Sequence, residues 1–384
     1  SIKSRFLKEK LLKGKKISGC LHITAETANL VETLVAGVAE VFMCPSNPLS
    51  TQDDIAAYLV SQGISVYAIR GESEEIYDDH LEAVLEEKPH ITIDDGADLV
   101  AKLHSSNHVG LENMIGSMEE TTTGIIRLRA LSEEGKLKFP VISVNDSDTK
   151  HMFDNRYGTG QSSIDGYLRA MNLLLASKRI VVAGYGWVGK GVASNCRGMN
   201  AKVIVTEVDP IRALEAHMDG FDVMPMSQAA KIGEIFITTT GMTGIIRKEH
   251  ILTMKDGAVL GNVGHFDVEV DSKFLLKQSR SVKQVRPYLD ECVLKNGKKI
   301  YLIGEGRIAN LTAAEGHPPE VMAQSFSNQL LSILYILKNH KKMPKSVITV
   351  PKEIDRQIAI DALNAMNVKI DKLTKEQVKY MGSW

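Results

Sequence analysis

The sequence predicts an α/β protein with two doubly wound parallel-sheet domains and a short C-terminal helical segment. Short runs rich in Val and Ile alternate with helical patterns along the chain, which is the order of elements in βαβ units. A second series of such runs begins at residue 178, so the alternation starts twice. The 384 residues also suffice for two hydrophobic cores, at roughly 100–200 residues per domain.

The first series supplies five predicted strands and the helices between them. The strands are KISGCLHIT, AEVFMC, ISVYAIR, HITIDDG and PVISVND, and the helical patterns include ANLVETLVAG and QDDIAAYLVSQG. Parallel strands need connections of this length, because the chain must return to the end of the sheet at which the previous strand began. We therefore predict a first α/β domain, whose main part covers residues 1–155.

The second series predicts another doubly wound domain over residues 156–317. Its runs are KRIVVAGYGWVGKGVASNCRGMNAKVIVTEVDP, GEIFITTTG, GAVLGNVGHFDV and KKIYLIGEG. Beyond it, the helical pattern VMAQSFSNQLLSILYIL and the closing segment have no strand sequence from which to build a third sheet. We therefore expect residues 318–365 to rejoin the first domain and residues 366–384 to form the C-terminal segment.

Charge and cysteine content narrow the possible functions. The 46 Lys and Arg residues balance 47 Asp and Glu, so no net field attracts nucleic acid or an anionic membrane. No apolar run approaches the ~20 residues of a membrane span. Neither the paired spacing of a zinc site nor the density of a disulfide scaffold is seen among Cys20, Cys44, Cys196 and Cys292. We expect a cytoplasmic protein with a small neutral or zwitterionic ligand, and we assign no metal site.

A glycine-rich turn opens the second domain. The stretch IVVAGYGWVGKG places glycines between an apolar strand and a helix, where backbone N–H groups can approach a pyrophosphate. Glu207 ends the next strand, and its carboxylate suits the ribose hydroxyls of NAD and repels the 2′-phosphate of NADP, although nearby Arg212 softens that preference. An ordinary strand-to-helix turn is the alternative. We assign to NAD the residues Gly184, Gly186, Trp187, Val188, Gly189, Lys190, Gly191, Glu207 and Arg212.

Polar residues also follow the later strands of this domain. Thr239, Gly241, Asn262, Gly264 and His265 stand where strands end, which is the usual position for ligand contacts in such a sheet. The alternative is a set of polar turns without a ligand.

The first domain carries titratable residues at its own predicted strand ends. CLHITAET contains His22, Thr24 and Glu26, IDDGADL contains the pair Asp94 and Asp95, and MEETTTG contains Glu119 and Glu120. A structural histidine, helix caps and an Asx turn explain each group separately. All these groups occur in a chain that also carries a nucleotide-binding turn. Together they therefore favour a catalytic site over separate structural roles.

The stretch VNDSDTKHMFDN poses a similar choice. If it is helical, Lys150 and Asp154 lie four residues apart on one face. An exposed ion pair of this kind contributes little to stability. The same pair facing a cleft can tune a lysine for proton transfer.

A run of long motifs resembles one family over nearly the whole chain. In order, they are CLHITAETANLVETL, SNPLSTQDDIAA, IDDGADL, EETTTG, VNDSDTKHMFDN, VAGYGWVGKG, NVGHFDVEVD, LIGEGRIANL and GHPPEVM. Together they resemble the adenosylhomocysteinase, or S-adenosyl-L-homocysteine hydrolase, family. The resemblance implies a substrate domain, a Rossmann NAD domain and a homotetramer in which residues 366–384 serve oligomerisation.

The resemblance also implies a reaction. Bound NAD+ takes hydride from C3′ of the nucleoside, the C4′ hydrogen becomes acidic, homocysteine thiolate leaves C5′, water adds, and the hydride returns. S-adenosyl-L-homocysteine thus becomes adenosine and homocysteine without net oxidation.

Site roles follow from the same resemblance. Lys150 and Asp154 would contact the ribose 3′-hydroxyl, with Lys150 assisting its deprotonation, and Glu120 would bind the ribose hydroxyls. Asp95 and His22 would be the acid/base pair near C4′ and C5′, with His265 close by. Thr24 and Glu26 would hold the base. The cofactor or the closed cleft would be lined by Thr121, Thr122, Thr123, Asn155, Thr239, Val263, Gly264, His265, Asn310 and His317.

Glu26 bears on which base is bound. A carboxylate accepts from the exocyclic amine of adenine, whereas the carbonyl of hypoxanthine would lose a buried hydrogen bond, at ~1–3 kcal/mol. Adenosine is favoured, and S-inosyl-L-homocysteine is the alternative substrate. Two other functions stay open: a catalytically silent NAD-binding regulator, and a dehydrogenase that exchanges free NAD.

Overall fold

The first sheet of the computed structural model, which describes residues 2–105 and 108–383, is parallel throughout. The outer limits of the first and last predicted segments, Ser1 and Trp384, lie outside these ranges. The sheet comprises β1 (Lys15–Cys20), β2 (Ala39–Cys44), β3 (Ser65–Val66), β4 (Ile91–Asp94), β5 (Gly116–Glu119), β6 (Val141–Ser143) and β15 (Val347–Thr349). Their order is β15-β6-β5-β4-β1-β2-β3.

The second sheet has the order β12-β13-β14-β11-β10-β7-β8-β9. Its strands are β7 (Arg179–Ala183), β8 (Lys202–Thr206), β9 (Asp222–Val223), β10 (Ile235–Thr238), β11 (Ala258–Asn262), β12 (Ser279–Arg286), β13 (Leu289–Leu294) and β14 (Lys299–Ile303). The sheet is parallel from β14 to β9, whereas β12 and β13 extend one edge in antiparallel pairing.

Helices connect the strands and cover both sheets. They are α1 (Ile2–Glu9), α2 (Ala25–Ala36), α3 (Asp53–Ser61), α4 (Glu74–Glu86), α5 (Asp98–Ser105), α6 (Thr122–Glu133), α7 (Asp148–Lys150), α8 (Thr159–Met171), α9 (Trp187–Gly198), α10 (Pro210–Met218), α11 (Met226–Ile232), α12 (Lys248–Thr253), α13 (Ser272–Gln278), α14 (Ala309–Thr312), α15 (Pro319–Asn339), α16 (Lys352–Ala365) and α17 (Lys375–Met381). Short 3₁₀ turns lie at Val109–Asn113, Gly304–Gly306 and His340–Lys342, and a π-helical segment spans His151–Gly158. In the described ranges, no helix combines the length and apolar character that a membrane span requires.

Apolar side chains on both faces of the first sheet build its core. On one face, Ile17 and Ile142 pack with Leu30 of α2 and Ile333 of α15. On the other face, Val141 packs in a separate cluster with residues of α4, α5 and α6. Burial on both faces explains why these strands read as continuous apolar runs.

The predicted fold class is confirmed, with two corrections to its strands. The five strands predicted for the first domain did not include GSME, for which a capping segment was the alternative, and no strand was predicted beyond residue 316, but GSME forms β5 and VIT forms β15. Gly, Ser and Glu have low strand propensity, so β5 depends on its burial between β4 and β6. The antiparallel pair β12–β13 was also not predicted.

The order of the strands places the candidate substrate residues and the NAD turn at the same kind of position in their two sheets. In the first sheet the chain runs outward from β1 through β2 to β3, and then from β4 in the opposite direction. In the second sheet the reversal falls between β7 and β10. Loops at the carboxyl ends of strands diverge at such switch points and leave a crevice for ligands.

Candidate active site

One cavity of about 900 Å³ lies where the carboxyl ends of the two sheets face each other. Every residue that the sequence analysis assigned to substrate or cofactor lines it, except Gly189, Lys190 and Gly191. His22 and Asp95 follow the strands that flank the first switch point, and Gly184 and Thr239 follow those that flank the second.

The three exceptions have packing roles in the glycine-rich turn. A Cβ atom on Gly189 would lie 2.0 Å from the Gly184 carbonyl oxygen, and one on Gly191 would lie 1.8 Å from the Arg156 carbonyl oxygen. These glycines therefore let α9 approach β7 and the π-helical segment. Lys190 is not part of the cavity lining, and it pairs with Glu215 at 2.6 Å.

The rest of the turn fits a dinucleotide. Gly184 has a φ of +99°, and a Cβ on Gly186 would meet only Arg212, at 3.8 Å, so the backbone at the start of α9 faces open space. Glu207 is held by the N–H groups of Tyr185 and Val208, each at 2.7 Å. Across the cavity, the buried Oδ1 of Asn310 has no hydrogen-bond partner among the described residues, so it can accept from a ligand.

Asn262, considered as a ligand contact, supports a loop. Its amide donates to the carbonyl groups of Gly264 and Phe266, and its Oδ1 accepts from the Gly264 N–H and the Thr238 hydroxyl. Asn262 therefore fits the alternative prediction, a polar turn without a ligand. Its hydrogen bonds hold the loop that carries His265.

His22, Asp95 and His265 form the first titratable cluster. Nε2 of His22 lies 3.3 Å from Oδ2 of Asp95, and Nδ1 of His265 lies 3.5 Å from Oδ1. The ligand atoms of the three side chains lie within 4.8 Å of one another, close enough for a transition metal, although the sequence assigned none.

Two serines contact His22, and the hydrogen bond that one of them donates indicates the tautomer. Nδ1 lies 2.7 Å from the Ser50 hydroxyl and 3.1 Å from that of Ser46. Because the Ser50 hydroxyl donates to the Asn47 carbonyl, it accepts from an Nδ1–H. The lone pair of Nε2 then faces the Asp95 carboxylate, an arrangement in which the pair readily takes up a proton and returns it.

The charge of His22 depends on its burial. Burial lowers its pKa from 6.5 to about 4, and the nearby Asp95 carboxylate offsets only part of this effect. His22 is therefore neutral near pH 7 and can act as a base.

We predict that His22 makes the fold sensitive to mild acid. Between pH 6.5 and about 4 the unfolded chain holds a proton on His22 and the folded chain does not, so stability falls as the pH is lowered through this window. His22→Asn should lose less stability than the parent protein between about pH 7 and about pH 5. Denaturant midpoints at both pH values measure this, and an equal loss in the two proteins would contradict it.

Lys150 is the centre of the second cluster. Its Nζ lies 3.2 Å from Asp154, 2.8 Å from the Asn155 side-chain oxygen and 3.6 Å from Glu120. The stretch considered as a helix is α-helical only to Lys150 and then widens into the π-helical segment, which lets the lysine reach residues four and five positions ahead. Lys150 and Asp154 are both buried, so this is not an exposed ion pair.

The charges in this cluster follow from its geometry. Burial alone would lower the pKa of Lys150, but Asp154 and Glu120 outweigh it and raise that pKa. Burial alone would raise the pKa of Asp154, but Lys150 and His317 hold it well below its usual value. Burial raises the pKa of Glu120 to about 7. Lys150 is thus an ammonium ion beside Asp154, and Glu120 is the group that exchanges a proton near neutrality.

Comparison with known proteins decides the family. The family model described as S-adenosyl-L-homocysteine hydrolase matches residues 1–113, and that of its NAD binding domain matches residues 155–316. An adenosylhomocysteinase of Aquifex aeolicus is 60% identical over 384 residues, covering all of this chain and 92% of the relative. An S-inosyl-L-homocysteine hydrolase of Methanocaldococcus jannaschii is 57% identical over 383 residues, with 100% and 92% covered.

The chain belongs to the S-adenosyl-L-homocysteine hydrolase family. This confirms the resemblance described above, and the matched NAD binding domain confirms NAD as the cofactor. Among solved structures, a dipicolinate synthase from Bacillus halodurans is similar in fold, with a TM-score of 0.51 at 13% identity over 84% of this chain and 99% of that chain.

In this family member, α15 completes the second cluster with residues that sequence reasoning missed. Ser325 and Gln329 donate to the two carboxylate oxygens of Glu120. They stand four positions apart among the apolar residues of VMAQSFSNQLL, so two polar residues on a buried helical face were the available signal. Without a known partner strand, that signal did not point to Glu120.

His317 joins the cluster from the segment before α15. Its Nδ1 lies 3.4 Å from Asp154, and its Nε2 lies 3.0 Å from the Thr159 hydroxyl. On the other side, Asn155 donates to Asn145, which donates to Thr122. These contacts fix the orientation of Asp154 and Asn155 around Lys150.

Glu119 supports the site from below the cavity. It is fully buried, and its Oε1 accepts from the N–H of Gly96 at 2.9 Å and the N–H of Thr121 at 3.0 Å. These N–H groups directly follow Asp95 and Glu120. One oxygen atom therefore ties together the loops of the two clusters. Burial, reinforced by the Asp94 and Asp95 charges, raises the pKa of Glu119 well above its usual value.

We predict that Glu119→Leu lowers the free energy of unfolding by about 2–5 kcal/mol, because the buried Gly96 N–H and the partly buried Thr121 N–H each lose an acceptor. Glu119→Gln is the matched control, since its amide oxygen accepts the same bonds and the side chain is neutral, as the buried acid is. Urea unfolding of both variants tests this. Equal midpoints for the Leu and Gln variants would show that the hydrogen bonds to the Glu119 oxygen do not contribute to the free energy of unfolding.

Proposed function

We propose that the protein is an adenosylhomocysteinase, which reversibly hydrolyses S-adenosyl-L-homocysteine to adenosine and L-homocysteine. The observation that carries the proposal is the meeting of both titratable clusters with the NAD turn in one cavity. Bound NAD supplies a temporary oxidant for C3′ and regains its original state, so the overall reaction is the addition of water across a carbon–sulfur bond.

Lys150, Asp154 and Glu120 act at the ribose 3′-hydroxyl. Because Lys150 is charged in this arrangement, it must first pass a proton to Glu120, 3.6 Å away, before it can accept the hydroxyl proton. Asp154 holds the lysine in place through both states. When the ketone is reduced again, the proton returns along the same route.

His22 and Asp95 act at C4′ and C5′. Neutral His22, paired with the Asp95 carboxylate, removes the C4′ proton, and the elimination expels homocysteine thiolate, which takes up that proton and leaves as the thiol. The same pair then removes a proton from the water that adds to C5′ and returns one to C4′. His265, which contacts Asp95 opposite His22, orients that carboxylate.

Glu26 supports adenine as the base. It lines the cavity next to Thr24, which caps α2, so its carboxylate is available to an exocyclic amine. The inosine form stays the second candidate because the Methanocaldococcus relative is named for it at 57% identity, near the 60% of the Aquifex adenosylhomocysteinase.

The test is to incubate the protein with S-adenosylhomocysteine, without added NAD, and to trap the released thiol. Thiol release supports the proposal, and parallel incubation with S-inosylhomocysteine identifies the base. No release even after NAD is supplied would identify a silent NAD-binding homologue. NADH accumulating in solution would identify a dehydrogenase.

We also propose a cytoplasmic homotetramer with a substrate-binding domain of residues 1–155 and 318–365, an NAD domain of residues 156–317 and an oligomerisation segment of residues 366–384. Exposed apolar side chains in the last segment support its role, namely Met366, Val368, Ile370, Leu373, Val378, Tyr380 and Met381. Light scattering measures the mass of the assembly, and a monomer that keeps full activity would contradict the proposal.

A further inference from the structure

The helix α7 is capped by a side chain from another part of the fold. The hydroxyl of Ser147, at the N-cap position, donates to the Val144 carbonyl, so this side chain does not cap the helix. The first N–H groups of a helix have no partners within it. Asp355 of α16 accepts them, at 2.7 Å from the N–H of Asp148 and 2.9 Å from that of Thr149. A residue 206 positions after Thr149 therefore fixes the start of α7.

The Thr149 hydroxyl connects this cap to α15. It donates to the Asp355 carboxylate and accepts from the side-chain amide of Asn328 at 2.8 Å. Asn328 is fully buried and directly precedes Gln329, which donates to Glu120. One buried hydroxyl therefore links α16, α7 and the helix that holds the Glu120 carboxylate.

This chain of hydrogen bonds ends at both partners of the proton route. Thr149 directly precedes Lys150, and the Lys150 Nζ lies 3.6 Å from Oε1 of Glu120. That separation is just beyond the ~3 Å at which a proton passes between two heavy atoms. A misplacement of about 1 Å can slow a catalysed step by about 10²-fold. The position of α7 relative to α15 therefore bears directly on the rate.

We propose that Asp355 and Thr149 are positioning residues for proton transfer at the ribose 3′-hydroxyl. They hold α7 against α15 and so keep Lys150 within reach of Glu120. Neither of the two side chains lines the active-site cavity, so both act through Lys150. This inference rests on the proposed function, because that function assigns the proton route.

The first test removes the remote carboxylate. Asp355→Ala should slow the reduction of bound NAD by adenosine by about 10–100-fold in single turnover, with the amount of bound NAD unchanged. Because Asp355 is only partly buried, water can reach the N–H groups that it leaves, and the variant should fold. Glu353→Ala removes an exposed acid from the same first turn of α16 and is the matched control, which should react at the parent rate.

A second pair of variants tests the hydroxyl. Thr149→Val keeps the shape of the side chain without the hydroxyl, and it should slow NAD reduction to a similar extent. Thr149→Ser keeps the hydroxyl and should retain most of the parent rate.

A double variant distinguishes positioning from general stabilisation. If Asp355 acts through Lys150, adding Asp355→Ala to Lys150→Ala should slow NAD reduction by less than about two-fold further. A cap that only stabilises the fold would slow the reaction equally in both backgrounds.

Three results would overturn the positioning role: Asp355→Ala reacting at the parent rate, equal slowing in both backgrounds, or Thr149→Ser reacting as slowly as Thr149→Val. The parent protein separates this role from the proposed function. If it reduces bound NAD with adenosine and one of these results is found, only the positioning role is wrong. If it shows no reduction, the proposed function fails, and this inference fails with it.

Discussion

Replacing Lys150 with alanine leaves NAD bound but slows the reduction of bound NAD by adenosine by about 10²–10⁴-fold. The Lys150 side chain is the cation between Asp154 and Glu120, and no other described ammonium group contacts either carboxylate. Without it, the proton of the 3′-hydroxyl has no route to Glu120 as hydride leaves C3′. Asp154→Ala should have a similar effect, because the lysine loses the contact at 3.2 Å that positions it.

Single-turnover absorbance of the nicotinamide after mixing with adenosine measures this step. Lys8→Ala removes the same side chain from an exposed position on α1 and is the matched control. Bound NAD is quantified in each variant, so that loss of cofactor is not mistaken for slow chemistry. Unchanged reduction in both site variants would refute the assignment.

Asp95→Asn should separate oxidation from elimination. The amide keeps the size of the side chain but cannot take up or return a proton beside His22. We therefore expect adenosine to reduce bound NAD at close to the normal rate, while thiol release from S-adenosylhomocysteine falls by about 10²–10⁴-fold.

The neighbouring Asp94 is the matched control for this prediction. It is fully buried beneath the cavity, and burial raises its pKa to about 7, so an asparagine resembles its protonated form. Asp94→Asn should retain thiol release. Equal losses of cofactor reduction and thiol release in Asp95→Asn would instead mean that the substitution disturbs the whole cavity.

Local sequence patterns were sufficient for much of the fold and site. The glycine-rich turn, Glu207 and the strand-end residues His22 and Asp95 follow from strand periodicity and turn chemistry, which operate over a few residues. Strand β5 did not follow, because GSME becomes a strand only when its neighbours pair with it on both sides. Gly189 and Gly191 do not line the cavity, and close packing of α9 accounts for both glycines. Their contact with NAD stays a prediction.

By itself, the sequence determined the α/β class, the family and the NAD turn, since contiguous motifs are sufficient to identify each of them. Only the tertiary structure decided the charge states of the site. Ser325 and Gln329 meet Glu120 across about two hundred residues of chain, and burial raises the pKa of Glu120 while nearby carboxylates keep Lys150 protonated. The physical reason is that a side chain's pKa depends on desolvation and on charges within a few ångströms, and the chain brings these together only when it folds.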